Sequence, residues 1–348
     1  MRVLVTGHLG YIGTVMVPML QREGFDVVGL DSGLFEQCVF GQPAPTIPQL
    51  RMDLRDVQAA DLAGFDAVLH LAALSNDPLG NLDPDLTYAI NHLASVRLAR
   101  LAKAAGVPRF LFSSSCSTYG AAGEDILDES ASFNPVTPYG HSKVLVEQDV
   151  AKLADDSFSP TFLRNSTAYG VSPAHRFDLV LNNLVAWACT TGLVYIKSDG
   201  TPWRPIVHIE DITRAFIAAL RAPREVVHNQ AFNIGLDSEN YQVRQLAEIV
   251  RELVPGCRIE YAEDAGPDKR SYRVSFAKVT RALPGFKPEW NARRGAESLY
   301  QTYQQIGLQL DDFEGPKYKR IDHIKLLMST GRIDSSLRWV EQAAPALP

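Results

Sequence analysis

Tyr139 and Lys143 stand four residues apart in Tyr139-Gly-His-Ser-Lys143, so on a helix they project from one face. Pro135 and Pro138 precede them, and a proline is tolerated in the first turn of a helix but not further in. A tyrosine phenol titrates near pH ~10 and is a poor base at neutrality. A lysine ammonium on the same face favours the phenolate and lowers that value. The pair would then be an acid/base able to work near neutral pH. An ordinary surface pair has the same spacing, so its meaning depends on whether the rest of the chain builds a cofactor site around it.

The elements that would position the pair begin at the first residues. Residues 2–5 read as a short buried strand running into Thr6-Gly7-His8-Leu9-Gly10-Tyr11-Ile12-Gly13, with an apolar helical segment from Val15 to Leu20. In such a loop Gly7 takes the turn, Gly10 lets the backbone approach a pyrophosphate, and Gly13 lets the helix pack on the strand. The free N–H groups of the helix then face the phosphates. A second strand, Val27 to Leu30, ends at Asp31. An acid there accepts hydrogen bonds from an adenosine ribose and repels a 2′-phosphate. Ser32, Gly33 and Leu34 bring no arginine, so the reading is NAD and not NADP.

A third strand, Leu50 to Leu54, contains Asp53, placed to meet an adenine amine. Ala67 to Ala73 is a fourth strand ending in small residues that leave room for a cofactor, with His70 as a packed strand residue. A polar, flexible loop from Leu74 to Pro84 precedes a helix over about 85–105. Phe110 to Phe112 is a fifth strand running into Ser113-Ser114-Ser115-Cys116-Ser117-Thr118-Tyr119-Gly120. Strands alternating with helices predict an α/β fold with a doubly wound parallel sheet. Ligands of such sheets bind beyond the carboxyl ends of the strands, where these loops lie.

The 348 residues suit one large α/β unit with a lobe attached, and 46% hydrophobic with 21% charged residues is globular. A net charge of −6 argues against a nucleic-acid or anionic-membrane surface. No apolar run approaches a membrane span. The opening Met1-Arg2-Val3-Leu4-Val5 lacks the pattern of a signal peptide. Cys38, Cys116, Cys189 and Cys257 lie far apart without CxxC pairing, which predicts a reducing cytoplasm and no zinc site.

Four motifs together, Thr6-Gly7-x-x-Gly10-x-x-Gly13, His70-Leu71-Ala72-Ala73, Ser113-Ser114-Ser115…Tyr119-Gly120 and Tyr139-x-x-x-Lys143, resemble the extended short-chain dehydrogenases/reductases. The nearest branch is the NAD-dependent nucleotide-sugar epimerases and dehydratases, over residues 1 to about 290. The resemblance implies a Rossmann-like NAD domain over 1–170, with 205–235 returning to it. A smaller, interleaved C-terminal substrate lobe would cover 171–310, and a helical extension 311–348. It makes Tyr139 the acid/base, Lys143 the residue that holds the nicotinamide ribose and lowers the tyrosine pKa, and Ser115 the hydroxyl that bonds the reacting sugar oxygen. It assigns NAD to Gly7, Gly10, Tyr11, Ile12, Gly13, Asp31, Asp53, Leu54, Leu71, Ala72, Ala73, Asn91 and Ser113, besides Tyr139 and Lys143.

For the nucleotide sugar the resemblance implies Ser75, Ser115, Cys116, Ser117, Thr167, Asn183, Arg204 and Arg270. Dehydratases of this kind carry an Asp-Glu pair after the serine, where this chain has Cys116 and Ser117. That weakens elimination of water; Cys116 is either a proton donor or a small buried filler. Thr167 holds the place of the usual asparagine. Asn183 is a candidate amide for the substrate diphosphate, the alternative being a capping or surface asparagine. Arg204, in Arg204-Pro-Ile-Val-His208-Ile-Glu-Asp211, suits a diphosphate through its planar fork of donors, and Arg270 is a second such candidate. His208 and Asp211 are expected to be structural.

Beyond about 290 the charged segments Ile321 to Met328 and Ser335 to Gln342 suggest helices of a packed appendage or subunit contact. The resemblance implies an NAD-dependent nucleotide-sugar epimerase working through a keto sugar, usually at C4, with a dehydratase or a non-catalytic NAD-binding protein as alternatives. It also implies a homodimer, with no nucleic-acid or membrane partner.

Overall fold

The structure, a computed structural model, describes residues 1–75, 83–263, 266 and 270–340, with backbone only at 122–124. Strands β1 (Arg2–Thr6), β2 (Asp26–Asp31), β3 (Gln49–Arg51), β4 (Ala67–His70), β5 (Arg109–Ser115), β7 (Ser159–Asn165) and β11 (Gln230–Ile234) form one sheet in the order β11-β7-β5-β4-β1-β2-β3. All of its ladders are parallel. Strand order runs outward in both directions from the β1–β4 boundary, and that switch point is where a crevice opens in such sheets.

The strands are apolar on both faces because both are covered. Val3, Val5, Leu69, Leu111 and Leu163 share one core with Met16, Val17 and Leu20 of α1 (Gly13–Arg22) and with Ile212 and Phe216. Leu4, Val68, Phe110, Phe112 and Phe162 face the other way, toward α2 (Ala94–Ala104) and α3 (Pro138–Ala151). Alternate residues of one strand thus feed two separate cores.

Three smaller sheets complete the strands: β6 (Ala121–Leu127) with β14 (Ser271–Val274), β8 (Thr167–Tyr169) with β10 (Trp203–His208) and β12 (Asn240–Gln242), and β9 (Leu193–Ile196) with β13 (Arg258–Tyr261). Helices α4 (Val180–Thr191), α6 (Val243–Leu253) and α7 (Ala292–Ile306) share a further core with β8, β9 and β10. Helix α5 (Ile209–Arg221) returns to the large sheet beside α1.

Several boundaries differ from those expected. Strand β3 stops at Arg51 because Asp53 caps a 3-10 turn, accepting from the Arg55 N–H at 2.8 Å. Strand β4 ends at His70 and not at Ala73. The helix expected over 85–105 is Pro84–Thr87, a π turn over Tyr88–Leu93, and then α2. Most of the loop read from Leu74 to Pro84 lies outside the described residues. The extension forms α8 (Arg320–Ser329), but no helix follows from Ser335 through Val340. There Asp334 accepts from the N–H groups of Ser336 and Arg338, and Leu337 takes a φ of 59°, which a helix excludes. Gln342 lies outside the described residues.

Candidate active site

Thr137 caps α3 by accepting the Gly140 N–H at 3.2 Å, and Pro138 occupies its first turn. Tyr139, Lys143 and Glu147 then recur every four residues on the face toward β5. Each is held differently. Glu147 is buried in a salt bridge with Arg164 of β7 at 2.7 Å and accepts the Ser114 hydroxyl at 2.5 Å. Lys143 is 3% exposed and donates to the Ser113 carbonyl at 2.7 Å. Its Nζ lies 5.6 Å from the centre of the Tyr139 ring. Burial pushes the Lys143 ammonium down to about 7, against the pull of Glu147.

The serine run ends β5 alongside β7, with Ser115 opposite Asn165 and Ser113 opposite Leu163. Ser115 caps the following 3-10 turn, accepting the Ser117 N–H at 3.1 Å. Ser113, Ser115, Ser117, Tyr139 and Lys143 all line one cavity of about 750 Å³. Two polar atoms beside it, Ser117 Oγ and Asn165 Oδ1, are buried without a hydrogen-bond partner. Buried polar groups left in that state are costly, and here they lie where a ligand would supply partners.

The cavity continues from Tyr139 to the glycine loop. Gly7, Gly10, Tyr11, Ile12, Gly13, Asp31, Asp53, Leu54, Leu71, Ala72 and Ala73 line it. A Cβ at Gly7, whose φ is 74°, would stand 2.8 Å from the Ala72 nitrogen, and one at Gly13 would meet the Gly7 carbonyl at 2.3 Å. These glycines let the loop, β4 and α1 close on one another. Ile12 gives α1 no side-chain cap; the Thr14 and Val15 N–H groups bond the Gly10 and Ile12 carbonyls, and among the described residues those of Tyr11, Ile12 and Gly13 remain for an anion. Asp31 accepts from the N–H groups of Leu9 at 3.1 Å and Gly33 at 2.8 Å. Two arginines on this side are neutralised, Arg51 by Glu36 at 2.7 Å and Arg55 by Asp53 at 2.6 Å. An acid at the end of β2 fits a ribose diol and not a 2′-phosphate. The residues present therefore fit an NAD dinucleotide.

Ser75, Thr167, Arg204 and Arg270 line the opposite end of the cavity. Arg204 donates to the Trp203 carbonyl at 2.8 Å and to the Arg270 carbonyl. Three expected residues fall outside the cavity wall. Asn91 is buried one layer back, bonding the Leu74 N–H at 2.8 Å and its carbonyl at 3.0 Å, so it shapes the loop after β4. Asn183, in the first turn of α4, donates to the Phe177 carbonyl at 2.9 Å and so binds the loop before its helix. Leu179 and Val180, where α4 begins without a side-chain cap, line the cavity instead. Cys116 is fully buried, donates to the Arg164 carbonyl at 3.2 Å, and has its thiol pushed up to about 12, chiefly by burial. Ser115 and Ser117 face the cavity while the residue between them turns into the core. A C116A enzyme is accordingly expected to keep kcat within about threefold, with a stability loss of about 1 kcal/mol in a urea melt.

Sequence reasoning passed over Arg176, Asp178, Ser166 and Arg320, which also line the cavity. Arg176 is held by Asp178 at 2.6 Å and donates to Ser75 Oγ at 3.1 Å. None of these stands in a motif of regular spacing. His208 and Asp211 are structural as expected: His208 caps α5 and stacks on Trp290 at 3.9 Å, and Asp211 accepts from the Glu289 and Trp290 N–H groups.

Residues 3–235 match the family described as Epimerase: NAD dependent epimerase/dehydratase family. The chain is 30% identical to a UDP-glucose 4-epimerase of Lactobacillus helveticus, over 83% of this chain and 92% of that one. It is also 30% identical to a UDP-glucose 4-epimerase of Neisseria gonorrhoeae, over 86% and 96%. MoeE5, solved with UDP-glucuronic acid and NAD, superposes with a TM-score of 0.75 at 28% identity, covering 88% of this chain and 99% of that one.

Proposed function

The chain belongs to the NAD dependent epimerase/dehydratase family, and from that premise we propose that it is a nucleotide-sugar epimerase inverting C4 through a transient keto sugar. The observation that carries this reading is the set Ser115, Tyr139 and Lys143 on one cavity wall, with no carboxylate pair beside it. Among the described residues, the carboxylates of that wall are Asp31, Asp53 and Asp178. Asp31 and Asp53 belong to the adenosine end, and Asp178 holds Arg176. Elimination of water needs a separate acid and base that this wall does not provide.

Ser115 holds the reacting sugar oxygen while Tyr139 takes its proton. Lys143 supplies the positive charge that favours the tyrosinate and holds the nicotinamide ribose. NAD, held by the glycine loop, Asp31 and Lys143, would supply the hydride acceptor for the carbinol carbon and the donor that restores it. After the keto sugar has turned over, Tyr139 gives the proton back to the same oxygen, so the net change is an inverted carbon. The nucleotide diphosphate is held by Arg204 and Arg270 with the amide end of α4. In this reading residues 1–170 with 205–235 carry the cofactor, and 171–310 carry the sugar nucleotide.

Among the described residues no helix is long and apolar enough to cross a membrane. All four cysteines are free thiols, which supports a reducing cytoplasm. We also propose a homodimer through the segments 85–105 and 140–154, which contain α2 and most of α3; a monomeric mass in solution at micromolar protein would refute it. The function itself is tested by NMR against UDP-, GDP-, dTDP- and CDP-sugars. An epimer formed without loss of water supports the proposal, and a stable 4-keto-6-deoxy product overturns it.

A further inference from the structure

Arg320 differs from the other arginines around the cofactor crevice. Arg51, Arg55, Arg176 and Arg338 each hold a carboxylate. Arg320 is 8% exposed, lines the cavity, and has no carboxylate within 4 Å among the described residues. Its guanidinium sits 4.1 Å over the Phe35 ring and donates one hydrogen bond, to the Ala174 carbonyl at 3.1 Å. Burial and Arg176 push it down to about 10. A buried cation with most of its donors unspent is costly unless an anion completes the site.

The position of Arg320 says which anion. Ala174 lies two residues beyond Ser172, which donates to the Tyr11 carbonyl at 2.8 Å and bonds Thr14 Oγ1 at 2.9 Å. The guanidinium is therefore tethered, through Ala174, to the segment that Ser172 joins to the start of α1, and it rests on Phe35 in the segment after β2. Its helix is fixed by contacts to the segment after β2: His323 to the Leu34 carbonyl at 3.0 Å, and Trp339 to the Ser32 carbonyl at 2.6 Å. Arg338 anchors the same stretch on Asp56.

We propose that the C-terminal extension is part of the cofactor site, with Arg320 as the counter-charge for the diphosphate of the bound dinucleotide. Two donor sets would then serve that diphosphate, the N–H groups of Tyr11, Ile12 and Gly13 at the start of α1 and the guanidinium of α8. The extension holds the cofactor in place through turnover, which an enzyme that recycles its hydride needs. A nucleotide sugar carries the same diphosphate chemistry, but its end of the cavity has Arg204 and Arg270.

The test uses full-length protein freed of cofactor, as wild type, R320M and R320K, with NAD and UDP titrated separately by calorimetry. R320M is expected to weaken NAD about tenfold, the value of one charge-assisted contact, and to leave UDP unchanged. R320K, which keeps the charge, stays within about threefold of wild type for NAD. Without cofactor, R320M melts no lower than wild type, because an uncompensated buried charge has been removed, while its gain in melting temperature on adding NAD shrinks. Unchanged NAD affinity in R320M, or a loss that falls on UDP, overturns the proposal. A lower cofactor-free melting temperature with unchanged NAD affinity would make Arg320 a structural tether only. These readouts do not involve the sugar product, so this inference and the epimerase reading fail separately.

Discussion

A Tyr139→Phe enzyme is expected to lose ~1,000-fold in kcat while still binding NAD and nucleotide sugar, because it lacks only the atom that takes and returns the proton. The ring stays in place. Its helix is fixed by the Thr137 cap and by the Glu147–Arg164 salt bridge two turns on, and neither involves the phenol oxygen. KM should therefore change far less than kcat, since the lost interaction belongs to the transition state. Steady-state kinetics with the preferred sugar, together with NAD content per chain, separate the two. A Y139F enzyme with full turnover would remove Tyr139 from the chemistry.

The second large effect is expected at Lys143. Lys143→Met should lower kcat on the order of 100-fold, the usual cost of removing one preorganised charged donor. It has an opposite effect on stability. Burial has moved the folded-state ammonium from an ordinary 10.5 to about 7. Below pH 7 both folded and unfolded chains hold the proton, and the folded chain bears the full burden of the buried charge. Between about 7 and 10.5 the unfolded chain still holds it and the folded chain does not, so wild-type stability rises with pH relative to K143M. Urea melts of cofactor-free protein at pH 6 and pH 9 should thus show K143M at its greatest advantage at pH 6, narrowing at pH 9. A gap that does not change with pH would mean that the lysine is not a strained buried cation.

The parts of the site legible in the sequence are those that a single strand–loop–helix unit creates. Gly7, Gly10 and Gly13 announce a loop because only glycine allows those backbones to approach, and Tyr139 to Lys143 share a helical face by spacing alone. Ser115 and Ser117 were readable for the same reason. Cys116 was left open between two roles, and the change from strand to 3-10 turn decides it by pointing the thiol at the Arg164 carbonyl.

Asn183 shows a second limit. Its segment does begin at the cavity, but the rotation of α4 presents Leu179 and Val180 there and turns the side chain of Asn183 to the Phe177 carbonyl. Arg176 and Arg320 were invisible because tertiary packing delivers them. Arg320 reaches the cavity wall from the C-terminal extension, held by the Ala174 carbonyl and the Phe35 ring. Helical spacing from Ser335 to Gln342 does not make a helix over the described residues there, because the turn at Asp334 and the positive φ of Leu337 break it. They let Trp339 reach the Ser32 carbonyl.

The central claim is that one carbon is oxidised and reduced again within the closed site, with Tyr139 holding the proton. The most direct measurement follows a nucleotide sugar carrying deuterium at C4 through complete equilibration in ordinary water, by NMR. The account expects the inverted sugar to keep its deuterium at C4, with no water lost and none of the label in solvent. Loss of the label from C4, or a keto-deoxy product in place of the epimer, would contradict it.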